Sequence, residues 1–243
     1  MTRRILATAR RVLQQLAHDR RSVVLLIALP ALLLTLFRFV YDADRPLFDR
    51  VGPQFLGIFP FTTMFLVTSI TMVRERTSGT LERLLTTPLE RREFVAGYAL
   101  AFGLVTVIQS LTTSVIALGP LGLNVRTAWV VVVFALADAL LGSTMGLVMS
   151  TFATTEFQAV QFMPAVVFPQ LLLCGLLQPR QTLVTPLRWA SNVMPLSYAT
   201  DAFTEATRVA GLNGAMARDL AVLVGCLVVF MALSAVSIRR TTA

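Results

Sequence analysis

Apolar runs long enough to cross a bilayer recur along this chain, and the arginines fall almost entirely between them. A helix needs about 20 predominantly apolar residues to cross the ~30 Å hydrocarbon core. Ser22–Tyr41 supplies a first run, interrupted by Pro30 and by Arg38 near its end. Further runs lie at about 54–73, 94–118, 127–152 and 159–178, and a last one at about 220–238. The fifth contains Pro164 and Pro169. Hydrocarbon offers no partner to a free backbone N–H or C=O, so such runs close their hydrogen bonds within themselves as helices. The expected fold class is an all-α membrane protein with six transmembrane helices. Composition agrees, since 56% of residues are hydrophobic and only 14% charged, against about 25% charged in soluble domains.

Residues 1–21 precede the first run and differ from it. Ile5, Ala9, Val12, Leu13 and Leu16 recur at helical spacing, with Arg3, Arg4, Arg10 and Arg11 between them. That pattern predicts an amphipathic helix lying in the membrane interface, followed by a single transmembrane domain over 22–243. Arginines orient the spans, because cytoplasmic connections carry the excess. Arg3, Arg4, Arg10, Arg11, Arg20 and Arg21 share one side with Arg74, Arg76, Arg83, Arg91 and Arg92 and with Arg239 and Arg240. Both termini are therefore expected in the cytoplasm. The stretch from Pro179 to Asp219 holds Pro186, Trp189, Pro195 and Tyr198, an interfacial composition. It predicts a broken or re-entrant outer segment before the last span.

The absences exclude several chemistries. All 21 basic residues are arginine. The net charge of +8 sits in connections facing anionic headgroups, so no nucleic-acid partner is expected. Without lysine the chain cannot form a phosphate-binding G-x-x-x-x-G-K-[ST] loop or a Schiff base. His18 is the lone histidine and lies in the basic leader, and Cys174 and Cys226 fall inside apolar runs. No catalytic or metal-ligating set is expected.

The connection between the second and third runs is the most informative. Leu81, Leu84 and Leu85 form a short apolar face and Glu82 with Arg83 a charged one. The pattern predicts a small amphipathic helix entered through Ser78-Gly79-Thr80 and stopped before Pro88. Thr87-Pro88-Leu89-Glu90 then reads as a capping box that starts the next helix. On these residues alone a solvated surface helix is equally open.

The stretch resembles the cytoplasmic coupling segment of the type-two ABC permease family: an acidic residue, Gly-Thr-Leu-Glu, two apolar residues, then Thr-Pro. Glu75, Gly79-Thr80-Leu81-Glu82, Leu84-Leu85 and Thr87-Pro88 carry the resemblance. Met194-Pro195-Leu196-Ser197-Tyr198 resembles the family's stretch beyond the fifth span. The resemblance implies that Arg74, Glu75, Arg76, Gly79, Thr80, Leu81, Glu82, Arg83, Leu84, Leu85 and Pro88 form the contact with a separate cytoplasmic ABC ATPase. It implies a non-catalytic permease subunit of an ATP-driven exporter, dimeric with a second copy or a sister permease, in a bacterial plasma membrane. The chain itself would bind no cofactor, with ATP and Mg held by the ATPase. The cargo implied is hydrophobic or amphipathic: a drug or antibiotic first, a lipid or polysaccharide precursor also open.

Asp138 is the one acidic residue well inside a run, and intramembrane carboxylates are costly. Asp138, Gly142, Gly146 and Ser150 recur every four residues and share a helix face, with Gly142-x-x-x-Gly146 as a close-packing pattern. Two roles stand open for the stripe, a hydrogen bond across a tight helix contact or a place on a translocation path. Gln109, Gln161 and Gln170 admit the same alternatives. An ATP-independent carrier or channel using Asp138 is the competing function. A lipid-active enzyme is disfavoured, because Asp201 and Glu205 have no histidine beside them.

Overall fold

In the computed structural model, residues 2–18, 20–78 and 91–237 are described, and every regular element among them is helical. The order is α1 (Thr2–His18), α2 (Arg20–Val40), α3 (Arg45–Thr77), α4 (Arg91–Leu118), α5 (Ala128–Ser150) and α6 (Glu156–Leu173). A single 3-10 turn (Arg180–Thr182) follows, then α7 (Thr185–Val193), α8 (Pro195–Arg208) and α9 (Gly214–Ser237).

Four helices are long and apolar enough to cross a membrane: α3, α4 from Glu93, α5 and α9. Leu26–Val40 within α2 is a shorter apolar helix. The fold is all-α and multi-pass. α6 has 18 residues and stops at Leu173 rather than near Gln178, because Gly175 turns the chain at a φ of +98°. Only glycine adopts that conformation readily. Glu156, Gln158, Gln161 and Gln170 dilute its apolar character.

α3 begins at Arg45, well before the apolar run at 54. Asp44 caps it by accepting from the Leu47 N–H at 3.1 Å, and Pro46 sits in the first turn, where its missing N–H is harmless. At 33 residues the helix is roughly 50 Å long, so it outruns the hydrocarbon. α9 also starts early, capped by Asn213, whose Oδ1 accepts from the Met216 N–H at 2.9 Å.

Between Pro179 and Asp219 the segment is broken, as α7 and α8 meet at an extended Met194. Arg180 ties the break together. Its Nε donates to Ser191 Oγ at 2.8 Å, its Nη2 to Asn192 Oδ1 at 2.6 Å and its Nη1 to Asp201, while its guanidinium lies 5.3 Å from the Tyr198 ring centre. α8 buries Leu196, Ala199, Ala202, Phe203 and Ala206 in the core formed with α3, α5 and α9. Toward the end that carries residues 78 and 91, a second core joins Ala9 and Val12 of α1 to Met64, Met72, Phe94, Tyr98 and Phe102.

α5 is the central helix, with 72% of its most apolar stretch buried, whereas the more apolar α9 has only 11% buried. A helix apolar all round with most of its surface uncovered fits lipid as its solvent. α5 and α3 run parallel and touch backbone to side. A Cβ on Gly142 would lie 2.3 Å from the Phe61 carbonyl oxygen, and one on Gly146 would lie 2.4 Å from that of Phe65. Backbone cannot retreat as a flexible side chain can, so glycine is required at both. Gly142→Ala and Gly146→Ala should each cost about 1–3 kcal/mol by overpacking. Gly225→Ala, in open space, should be neutral. Thermal unfolding in detergent checks this, and equal melting of the three would refute the close approach.

Pro30 lies inside α2 and lacks the N–H that would reach the Leu26 carbonyl one turn back. Gln109 of α4 supplies the missing donor, its Nε2 standing 2.7 Å from that oxygen. Gln109→Leu should therefore lose about 1–3 kcal/mol by orphaning a buried carbonyl. In a Pro30→Ala background, where the helix restores its own bond, the same change should cost clearly less. A double-mutant cycle on thermal stability measures the difference, and strict additivity would show that the bond is idle.

Candidate functional site

The site begins with α1. Its buried stripe is Thr8, Ala9 and Val12, and it lies on the start of α4, where Gly97 makes room. A Cβ on Gly97 would stand 2.6 Å from Thr8 Cβ and 3.1 Å from the Ile5 carbonyl oxygen. From this position the two inner-facing arginines of α1 reach two acids. Arg11 Nη2 is 3.1 Å from Glu75 Oε2, near the end of α3, and Arg4 Nη1 is 3.6 Å from Glu93 Oε2, at the start of α4. Both carboxylates are buried. Residues 79–90 join those helices, so α1 is ion-paired to both roots of that connection.

The end of α3 has further ties. Arg74 makes a two-pronged contact with Glu156 at the start of α6, at 2.9 and 3.0 Å. Arg76 donates to the carbonyls of Ser150 and Ala153, the latter at 2.8 Å, and to that of Thr151 at 3.5 Å. The last carbonyls of a helix have no partner within it and carry the negative end of its dipole. The Arg76 guanidinium therefore caps α5. Of the eleven residues assigned to ATPase coupling, Arg74, Glu75 and Arg76 are bound within the chain by these contacts. Gly79, Thr80, Leu81, Glu82, Arg83, Leu84, Leu85 and Pro88 lie outside the described residues.

The stripe on α5 meets α3 along its length. Gly142 and Gly146 press on the backbone of Phe61 and Phe65, and Ser150 offers its carbonyl to Arg76. One turn above Gly142, Asp138 is 0% exposed and faces Gly57, where a Cβ would stand 3.1 Å from its Oδ2. The ring of Phe203, from α8, fills the same gap. The tight contact exists, but neither Asp138 oxygen finds a hydrogen-bond partner among the described residues. Of the glutamines, Gln109 bridges two helices, Gln170 turns back onto the Val166 carbonyl at 3.2 Å, and Gln161 is exposed.

Sequence reasoning missed the ion pairs of α1 and the cap from Arg76. Arginines every seven residues, at 4 and 11, hinted that one face of α1 carries two cations on a common line. Nothing in spacing tells which acids they meet.

Removing a cation from a buried carboxylate costs up to about 3–5 kcal/mol, less where the arginine is itself partly exposed. Arg11→Glu should thus lower thermal stability sharply. Adding Glu75→Arg should recover part of the loss. Charge-reversed and single variants melting additively would show that the pair is not formed.

Comparison with known proteins places residues 3–207 on the model of the family described as ABC-2 type transporter. Over 160 residues, 65% of this chain, it is 28% identical to ABC transporter G family member 20 of Dictyostelium discoideum. To member 23 of the same organism it is 27% identical over 78% of the chain. To the "Probable multidrug ABC transporter permease YbhR" of Escherichia coli (strain K12) it is 27% identical over 62%. The matched stretches make up 22%, 26% and 41% of those three relatives, so the chain matches less than half the length of each.

Proposed function

The chain belongs to the ABC-2 type transporter family, whose members are non-catalytic membrane permeases, and on that premise we propose that it is the permease subunit of an ATP-driven exporter. In this reading the chain crosses a bacterial plasma membrane six times, with α2 and α6 as the first and fifth spans and both termini in the cytoplasm. α1 lies in the inner interface, and α7 and α8 form a re-entrant element at the outer face. Hydrolysis of ATP, with Mg, belongs to a separate cytoplasmic ABC ATPase. A second copy or a sister permease completes the transporter. The cargo is hydrophobic or amphipathic, with a drug or antibiotic the first class to assay and lipids or polysaccharide precursors next.

One observation carries the reading: both roots of the 79–90 connection are ion-paired to the same helix, α1. A push on that connection then reaches α3 and α4 as rigid bodies instead of being absorbed by a slack loop. Through Arg76 and Arg74 it also reaches α5 and α6. Rigid helices rocking about a packed interface are the ordinary currency of such switches. Glu82, with Gly79, Thr80 and Leu81, supplies the docking face in this reading.

The competing function, a carrier working without ATP, draws its support from Asp138, whose buried oxygens are unpartnered. A pull-down of the tagged chain from gentle detergent, with an ATPase assay on the eluate, separates the two. Co-purification of an ATPase, abolished when 79–90 is scrambled in a chain that still inserts, is the expected result. A monodisperse chain that brings down no ATPase overturns the exporter and moves Asp138 to the front. Glu82→Arg should leave insertion intact while transport falls at least tenfold relative to hydrolysis, read in proteoliposomes carrying both subunits.

A further inference from the structure

At the end of the bundle away from residues 78 and 91, a cavity of about 440 Å³ opens between the starts of α3 and α9, the end of α8 and the turn after α6. That volume is in the usual range for small-ligand sites, roughly 300–1,000 Å³. Most of the charges lining it satisfy one another. Arg180 binds Asp201, Arg218 Nη2 is 3.2 Å from Asp219 Oδ1, and Glu205 accepts from Asn213 Nδ2 at 3.0 Å. Two guanidiniums on the lining, Arg50 and Arg208, are exposed and have no ion-pair or hydrogen-bond partner among the described residues. Glu205 meets only a neutral amide, but four arginines against three carboxylates leave the lining net positive.

A third group on the lining is incomplete. Gln54 is only 5% exposed, and its Nε2 donates to Thr204 Oγ1 at 2.7 Å. Thr204 already gives its single proton to the Thr200 carbonyl at 2.9 Å. Its oxygen can only accept from Gln54, which fixes the orientation of the amide. Gln54 Oε1 is left buried with no donor. A buried acceptor without a partner is costly, and an incoming N–H or O–H would relieve it.

We propose that this cavity binds the headgroup of an amphiphile carrying an oxyanion, phosphate or carboxylate, together with an N–H or O–H donor. The forks of Arg50 and Arg208 match the oxyanion, because guanidinium presents paired donors to such groups. Gln54 Oε1 takes the donor. Leu47, Val51 and Leu177 line the apolar side, and Leu177 is 67% exposed. The assignment rests on the permease reading and narrows it, since it names the chemical class that the outer end of the protein handles. A cationic amphiphile fits less well, because arginines outnumber carboxylates on the lining.

The full-length chain, purified in a maltoside without any ATPase, is titrated calorimetrically with dodecyl phosphate, inorganic phosphate and dodecyltrimethylammonium. Dodecyl phosphate should bind saturably, and more tightly than the other two. Arg50→Gln and Arg208→Gln should each weaken it about tenfold, and Gln54→Leu several-fold at about pH 5, where the phosphate keeps one O–H, while Arg3→Gln at the opposite end should leave it unchanged. Equal affinity for inorganic phosphate would assign the site to a free anion and overturn the amphiphile. Tighter binding of the ammonium, no saturable binding, or full binding by the Arg50→Gln/Arg208→Gln variant would overturn the site itself. The three-probe comparison stands on the unmodified chain even if a variant fails to fold. Binding is read with no ATPase present, so its failure leaves the co-purification result untouched, and the reverse also holds.

Discussion

The close approach of α5 to α3 is the constraint on which the remaining architecture hangs. In lipid, helices gain nothing by hiding apolar surface from one another, because the acyl chains are as apolar as leucine. What remains is dispersion between surfaces that fit and the satisfaction of polar groups. Gly142 and Gly146 let the two parallel helices meet at the carbonyls of Phe61 and Phe65. The same pair of helices carries most of the larger core, with Phe61, Phe65, Phe134, Leu141 and Met145 buried between them and α8. α8, α9 and α2 then dress a seam that is already set.

That seam also decides how the end that carries residues 78 and 91 is organised. Arg76 can cap α5 only because α3 runs beside it in parallel and ends at the same level. Once α3 and α5 are joined there, Glu75 is turned toward α1 and Arg74 toward α6. Four elements thus converge on one root of the 79–90 connection, while Arg4 and Glu93 hold the other. Glu75 and Glu93 are buried, so breaking either of their pairs leaves an uncompensated charge, whereas the Arg74–Glu156 pair is exposed and Arg76 meets carbonyls. Stiffness at this end follows from electrostatics, whereas stiffness at the middle of the bundle follows from packing.

Polar groups inside the helices divide into those that have found partners and those that have not. The Leu26 carbonyl freed by Pro30 takes a donor from Gln109, and Thr68 meets Ser143 across the main seam at 3.3 Å. Arg180 gathers α7 and α8 into one unit through three side chains and a ring. Asp138 and Gln54 lie on the other side of the division, with buried oxygens left without donors. Both sit near α8, Asp138 beside the Gly57 position that the Phe203 ring fills and Gln54 against Thr204. Ser69, Ser110 and Ser114 also hold buried hydroxyls without partners among the described residues, so such groups recur along α3 and α4 as well.

The apolar runs by themselves determined that this chain is helical and multi-pass, because hydrocarbon leaves the backbone no other way to close its hydrogen bonds. The four-residue stripe from Asp138 to Ser150 was legible too, since helical periodicity puts such residues on one face whatever they touch. The starts of α3 and α9 were not, because each helix extends past its apolar run into charged residues that periodicity alone reads as loop. Nor was the end of α6, which a single glycine turn decides. Which acids Arg4 and Arg11 meet, which donor rescues the carbonyl behind Pro30, and which charges around Arg50 and Arg208 cancel were settled only by tertiary structure. The reason is physical: periodicity records which side of a helix a residue occupies, but a hydrogen bond or ion pair requires two sides to be brought within about 3 Å. That distance belongs to the packing of whole helices, and no local pattern of residues contains it.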